Sequence, residues 1–558
     1  MRRFTRHVNW VLAITVIAAV LTLLPGRAAI APAIQADNNY IYLAADRLYA
    51  GLGPTSIRPQ APLQPWEWHG DWSFLTQWPL GYPLLLCAVR FLLRCSTVQA
   101  GQAIAIVACA TALVGWFAWA RRVTPKGIAG TLLAAAAAGS AVSVAALINP
   151  ATDTIIIALL PLVLLLTQPA VCETTAGSDA TGRRRCYARI IAAGLFAGGL
   201  CWIRYAAVYI PAGIGAFLAV RWIARRGTSL RQVGAFAFAA AVPLGALVLV
   251  NRAFGGASPL QDQLNLGSRI GFTPDPTVFA TIWWQFADLP FYDYHWYSHW
   301  VFAVGVPVGI FGFLCVGPSW RKALRSHAGG SGYALSACVL VALFAMLAAV
   351  SVLFRSKHTY VDIARYYAAA RPLYFLLIVG PLIAVAGKTI RAAACIPLLL
   401  CMSWYVQVEW PRPYQRWLAA NRPVTDYGRW AWCFEPGGNE LYRWLREQND
   451  PHLIVFSNFH DEIAVETWVP ACPLPETEDQ LARWTRRIRD ARNVDHTRVL
   501  FALDPGNHTR AYYLPPPQGV VARFGLTPCA SAPETVRPYV FDYSRSRPRL
   551  VARPGHRP

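Results

Sequence analysis

Apolar runs long enough to cross a lipid bilayer recur along this chain, and nothing else constrains its fold as strongly. Runs near 98 to 119, 128 to 147, 151 to 168, 232 to 250 and 334 to 353 each approach the roughly 20 residues that span a hydrocarbon core. With 55% hydrophobic and 14% charged residues over 558 positions, the chain reads as a mainly α, polytopic helical membrane protein. Lys and Arg outnumber Asp and Glu by 51 to 29, a balance that in a soluble protein would suggest a nucleic-acid partner. Here the basic residues sit in short clusters between the apolar runs, the pattern of orientation signals and lipid-headgroup contacts, so no nucleic acid is expected. The 13 cysteines form no CxxC pair and no Cys/His zinc spacing, and most read as small core residues.

The basic clusters set the topology. Three arginines in Met1 to His7 precede a first span near 8 to 24, which places the N-terminus in the cytoplasm; a cleaved secretory signal is the alternative, with Ala28, Ala29, Ala31 and Ala33 as small residues for a peptidase. The run 84 to 93 is too short to cross. If it crossed, the cluster Arg121 to Lys126 would face outward, so it reads as a juxtamembrane helix on the outer surface. Further spans near 188 to 203, 205 to 222, 300 to 317, 372 to 386 and 391 to 408 bring the total to eleven. That count places the clusters at 183 to 185, 221 to 231, 321 to 325 and 388 to 391 inside and the C-terminus outside.

The organisation expected is a transmembrane domain over 1 to 408, with a first outer loop from 26 to 97, then an extracytoplasmic domain over 409 to 545. A basic, proline-rich tail at 546 to 558 reads as disordered. Leu453 to Phe456 and Val499 to Leu503 read as buried strands, and the domain as a small α/β unit. Two of Cys433, Cys472 and Cys529 could pair there, and spacing does not say which two.

Polar residues that the topology places on the outer side are the candidates for chemistry. Asp37 opens Ala36 to Gly53, a stretch with apolar or aromatic residues at 41, 44, 45, 48 and 49 that reads as a short amphipathic helix lying on the bilayer surface. Asp153 closes the turn Asn149-Pro150-Ala151-Thr152-Asp153, Arg204 lies between two spans, and Lys357, His358 and Arg365 lie in the segment 355 to 367. Each has a purely structural alternative. Asp37 and Asp153 could cap helices or complement a helix dipole; Arg204 could snorkel to headgroups, and Lys357 and Arg365 could anchor the interface. Glu67, His69 and Asp71 read as solvated loop residues, and Trp283, Trp284, Trp296 and Trp300 as an interfacial belt.

Four stretches then follow in a telling order: Asp37 to Gly53, Trp78-Pro79-Leu80-Gly81-Tyr82-Pro83, Asn149 to Asp153, and Ala193 to Tyr205. In this order, over roughly residues 1 to 410, the chain resembles GT-C type membrane glycosyltransferases, the branch with RgtA/B/C/D-like enzymes, protein mannosyltransferases and lipid A aminoarabinose transferases. The resemblance implies an inverting transfer of a sugar from a polyprenyl-phosphate donor to an acceptor lipid, glycan or protein at the outer face, in a bacterial inner membrane. It assigns Asp37 as catalytic base or acceptor-orienting group and Asp153 as the second acidic position. Arg204, Arg365, Lys357 and His358, with Arg371 as a further candidate, would meet the donor phosphate, since guanidinium and ammonium groups stabilise phosphate oxygens. Many relatives carry a second acid directly after the first, where this chain has Asn38 and Asn39. That departure weakens the case for a divalent metal, which stays open but is not favoured, and no other cofactor is expected. A transporter or flippase, or a non-catalytic scaffold, would share the many spans; the chain shows no clear internal repeat and carries its charges at span ends.

Overall fold

The computed structural model describes residues 10–19, 36–56, 73–76, 78–124, 126–147, 151–173, 180–255, 330–353, 370–385, 388–411, 440–448, 450, 452–457, 460–475, 477–492, 494–503, 519–531 and 539–541. Its first elements are helix α1 (Trp10–Ala19), helix α2 (Ala36–Tyr49), and strands β1 (Thr55–Ser56) and β2 (Ser73–Phe74). An all-helical stretch follows: α3 (Gly81–Leu93), α4 (Thr97–Val123), α5 (Ile128–Leu147), α6 (Ala151–Glu173), α7 (Ala180–Gly199), α8 (Tyr209–Ile223), α9 (Leu230–Gly255) and α10 (Gly330–Leu353). The helices α11 (Ala370–Tyr374), α12 (Gly380–Val385) and α13 (Lys388–Trp404) complete it.

Among the described residues, five helical segments are long and apolar enough to cross a membrane: Thr97–Val123, Tyr205–Ile223, Leu230–Phe254, Gly330–Leu347 and Lys388–Val408. The chain is thus a mainly helical, multi-pass membrane protein. Helices also occupy the other expected spans, except 300 to 317, which lies outside the described residues. The run 84 to 93 forms α3, a helix of 13 residues, about 20 Å long. Two features have no forecast in the apolar pattern: π-helical turns at Phe375–Val379 and Tyr405–Glu409, each extending an α-helix by a wider turn.

The chain divides into two compact units, Met1–Gln35 with Leu75–Ala419, and Ala36–Phe74 with Ala420–Pro558. In the first, α4 packs on α5 and α6, α6 on α7, α7 on α9, and α8 on α10. Small residues permit the closest of these approaches. A Cβ on Gly194 would come 2.7 Å from the carbonyl oxygen of Phe236, and one on Gly198 would collide with the carbonyl of Ala240. The spacing is Gly-x-x-x-Gly, the pattern that lets helix backbones meet where lipid removes the hydrophobic drive between helices. Tryptophan N–H groups, which cannot stay unpaired in such an interior, find acceptors: Trp116 Nε1 donates to the carbonyl of Ile157 at 2.8 Å and Trp119 Nε1 to Ser336 Oγ at 3.2 Å.

The second unit holds α14 (Glu440–Gln448), β3 (Leu453–Ser457), α15 (His460–Thr467), β4 (Ala471–Cys472), α16 (Glu478–Arg492) and β5 (Arg498–Ala502). Helix α17 (Val520–Arg523) and strands β6 (Thr527–Pro528) and β7 (Tyr539–Phe541) follow. The five strands run in the order β4-β3-β5-β7-β6. β4, β3 and β5 are parallel, β7 is antiparallel to β5, and β6 is antiparallel to β7. One row of partners crosses the sheet as Ala471, Val455, Leu500, Val540 and Thr527.

This is the α/β domain expected from the two apolar runs, and its packing explains why they are continuous rather than alternating. Ile454, Phe456, Val499 and Phe501 pack with Leu481, Trp484 and Ile488 of α16 on one face, while Leu453, Val455, Leu500 and Ala502 pack with Leu441, Trp444, Leu445 and Ile463 on the other. A parallel sheet covered on both faces needs apolar residues at every position. Cys472 lies in the first of these cores, Cys529 is a free thiol with Sγ 3.3 Å from Ser531 Oγ, and Cys433 lies outside the described residues.

Helix α2 departs from its sequence reading. Residues 39 to 45 are buried in succession, so its middle is enclosed on all sides and does not float with one apolar face on a bilayer. The cause is its packing within the second unit, against α15 and β1. Tyr42 and Asn39, which the periodicity put on a polar face, are as deeply buried as Ile41 and Ala44.

The α7/α9 contact generates a stability prediction. Gly198→Val lowers the thermal unfolding midpoint in detergent, by overpacking worth about 1–3 kcal/mol. Gly199→Ala, where a Cβ would meet nothing within 4 Å, leaves the midpoint near wild type. Differential scanning fluorimetry of the two variants checks the pair.

Candidate active site

A polar junction of the first unit forms where α7 stops. Gly198 and Gly199 end the helix, a 3-10 turn covers Leu200–Trp202, and Arg204 adopts an extended backbone at φ −156° and ψ 125° before a second 3-10 turn at Tyr205–Val208. This break in a long apolar run turns the Arg204 side chain out of the helical path and toward α6. There Asp153 stands in the first turn, where the helix dipole favours an acid.

Arg204 Nη1 donates to Asp153 Oδ2 at 2.6 Å and approaches Thr152 Oγ1 at 3.4 Å. The side chains are 14% and 7% exposed, so the pair is largely withdrawn from water and each charge depends on the other. Two residues assigned separate tasks by sequence thus form one unit.

Around them lies a set of neutral polar groups. Tyr205 hydroxyl donates to the carbonyl of Thr76 at 2.7 Å and accepts from Asn251 Nδ2 at 2.8 Å. Tyr209 is buried and close enough to Asp153 and Arg204 to interact with both electrostatically. Among the described residues, the Tyr209 hydroxyl and Asn251 Oδ1 have no hydrogen-bond partner. Leaving such groups unsatisfied costs about 1–3 kcal/mol each, and a hydroxyl-bearing ligand would relieve that cost.

The Trp78-to-Pro83 stretch closes on the same junction. A Cβ on Gly81 would collide with the carbonyl oxygen of Trp202, so only glycine lets the start of α3 rest against the 3-10 turn. Trp202 Nε1 in turn donates to the carbonyl of Pro243 at 2.8 Å, tying the turn to α9. Sequence reasoning picked out Asp153 and Arg204 but missed Tyr209, Asn251 and Thr76. Tyr205 stood beside Arg204 in the quoted stretch, yet nothing in its spacing singled it out.

Asp37 belongs to the second unit, in the first turn of α2. One turn later, the Tyr40 hydroxyl and His460 Nε2 share a hydrogen bond of 2.8 Å. At the far end of the helix, Arg47 Nε donates to Thr55 Oγ1 at 2.7 Å, and burial lowers the pKa of its guanidinium. Arg365, Lys357 and His358 lie outside the described residues, as do Glu67, His69, Asp71 and the four tryptophans of the 252 to 298 loop and its edge. Arg371 is fully buried in the first unit, its Cζ 5.3 Å from the centre of the Tyr405 ring in a cation–π contact. Among the described residues, no group of three or more His, Cys, Asp or Glu side chains is placed to hold a metal ion.

No protein-family model matches the chain, and no curated protein matches it. Among solved structures, it is similar to ArnT from Cupriavidus metallidurans in the apo state, at 10% identity and a TM-score of 0.49 over 96% of this chain and 97% of that one. It is also similar to the archaeal oligosaccharyltransferase AglB from Archaeoglobus fulgidus, solved with an inhibitory peptide and a dolichol-phosphate. That likeness has 13% identity and a TM-score of 0.48 over 89% of this chain and 69% of that one.

Mutual dependence of the buried pair is measurable. Asp153→Asn and Arg204→Gln each leave one charge without its partner and destabilise by about 3–5 kcal/mol, whereas the double variant loses less than the sum. Thermal unfolding of the four proteins in one detergent gives the coupling.

Proposed function

We propose that this chain is an inverting glycosyltransferase that moves a sugar from a polyprenyl-phosphate donor to an acceptor hydroxyl at the outer face of a membrane, a bacterial inner membrane in this reading. The observation that carries the proposal is the meeting of three separated stretches at one junction. Gly81 rests on Trp202, Asp153 binds Arg204, and Tyr205 binds the backbone of Thr76. These stretches carry the resemblance to GT-C enzymes, and a bundle that only crossed the membrane would need no such polar convergence at helix ends.

The chemistry asks for three things. An acceptor O–H attacks the anomeric carbon on one face, and its proton passes to Asp37. The bond from that carbon to the phosphate oxygen breaks on the opposite face, which inverts the configuration, and the lipid phosphate departs with the bonding electrons. A cation must meet the developing charge on that phosphate. In this reading Arg365, Lys357 and His358 supply it together with Arg204, whose orientation Asp153 fixes. Tyr209 and Asn251 then offer hydroxyl and carbonyl groups to the sugar. Asn38 and Asn39 beside Asp37 leave a lone carboxylate, so the proposal uses a base and no metal step. The acceptor in this reading is a lipid, glycan or protein.

Asp37→Asn in membranes supplied with labelled lipid-linked sugars lowers transfer by about 10²-fold or more, the usual contribution of a positioned general base. A well-folded variant with full transfer would sink the assignment.

A further inference from the structure

We infer that His460 is a positioning residue for Asp37: through its hydrogen bond to Tyr40, the C-terminal domain holds the helix on which the proposed base stands. The inference rests on the reading of Asp37 given above and extends it to a part of the chain with no assigned task.

The geometry is specific. Tyr40 and His460 are 420 residues apart in sequence, and both are buried, to 3% and 4% exposure. Their hydroxyl and Nε2 lie 2.8 Å apart, with the rings tilted at 49° and centroids at 6.3 Å. His460 opens α15, three residues past the carboxyl end of β3, the strand flanked by β4 and β5. In open α/β sheets the carboxyl ends of such strands are where ligands are gripped. Here the residue at that place meets α2.

An apolar pair would fill the same space, but it would fix neither the rotation nor the register of α2. A buried hydrogen bond does both, because only one arrangement satisfies the two polar atoms. At the other end, Arg47 on Thr55 and the turn at Gly51, φ +78°, hold the helix where it leaves toward β1. Asp37 is one turn from Tyr40, so a helix free to rotate or slide would carry its acid with it. Proton transfer tolerates little such displacement, since an error of about 1 Å can cost a reaction about a hundredfold.

The test uses the full-length protein in detergent or membranes, with Tyr40→Phe, His460→Ala and His460→Gln. Tyr40→Phe removes one oxygen and keeps the ring, which guards against simple misfolding. Amide exchange over residues 36 to 49 is expected to speed up about fivefold or more in Tyr40→Phe and His460→Ala, with β3 and β5 amides unchanged. In the transfer assay the same two variants lose about fivefold to tenfold in kcat at unchanged donor KM, and His460→Gln, which retains a side-chain hydrogen-bonding group, recovers part of the loss. Unchanged exchange in α2 overturns the lock. Faster exchange with wild-type kcat overturns its catalytic role. Full transfer by Asp37→Asn in the same assay places the failure in the reading of Asp37, while the exchange data still decide whether His460 holds α2.

Discussion

The Asp153–Arg204 ion pair is the interaction on which the membrane unit's polar junction depends, and it exists because α7 cannot continue. Two glycines and an extended Arg204 separate the run 188 to 203 from the run 205 to 222, at the boundary between two expected spans. The cost of that boundary is backbone groups left outside the regular helical hydrogen-bond ladder. Part of it is offset by 3-10 turns and by side chains: Trp202 to Pro243, Tyr205 to Thr76, Arg204 to Asp153. The irregular backbone brings parts of α3, α6, α8 and α9 to one junction.

The second unit solves a different problem, that of enclosing a short helix whose polar groups are interleaved with its apolar ones. Residues 39 to 45 of α2 include Asn39, Tyr40 and Tyr42, and all of them are buried. Such a helix is stable only if its polar groups find partners, and the His460 contact is one of them. Helix α2 therefore packs against a helix encoded some 400 residues later. In the proposed reaction, what holds this helix also holds Asp37.

Much of this was legible in the sequence because it depends on local pattern. Apolar runs in lipid leave helices as the economical solution, and the strands at 453 and 499 announced themselves by β-branched and aromatic residues bounded by polar ones. Asp153 and Arg204 were legible as outward residues at span ends, though their pairing was not, since a separation of 51 positions in sequence says nothing about distance in space. Tyr209 and Asn251 look like ordinary span residues, and Arg371 differs from an interfacial anchor only by complete burial over Tyr405. The reading of α2 failed for a physical reason: apolar periodicity says which face avoids water, and it cannot foresee that a distant domain will cover the polar face too.

The central claim is that the chain forms a glycosidic bond with inversion, and the stereochemistry of its product tests that most directly. Purified wild-type protein is supplied with a polyprenyl-phosphate sugar of known anomeric configuration and a pool of membrane acceptors, and the product is examined by proton NMR at the anomeric centre. The account predicts a new glycoside of opposite configuration to the donor. A product with retained configuration, or lipid-linked sugar that crosses or leaves the membrane without forming any glycoside, would contradict it.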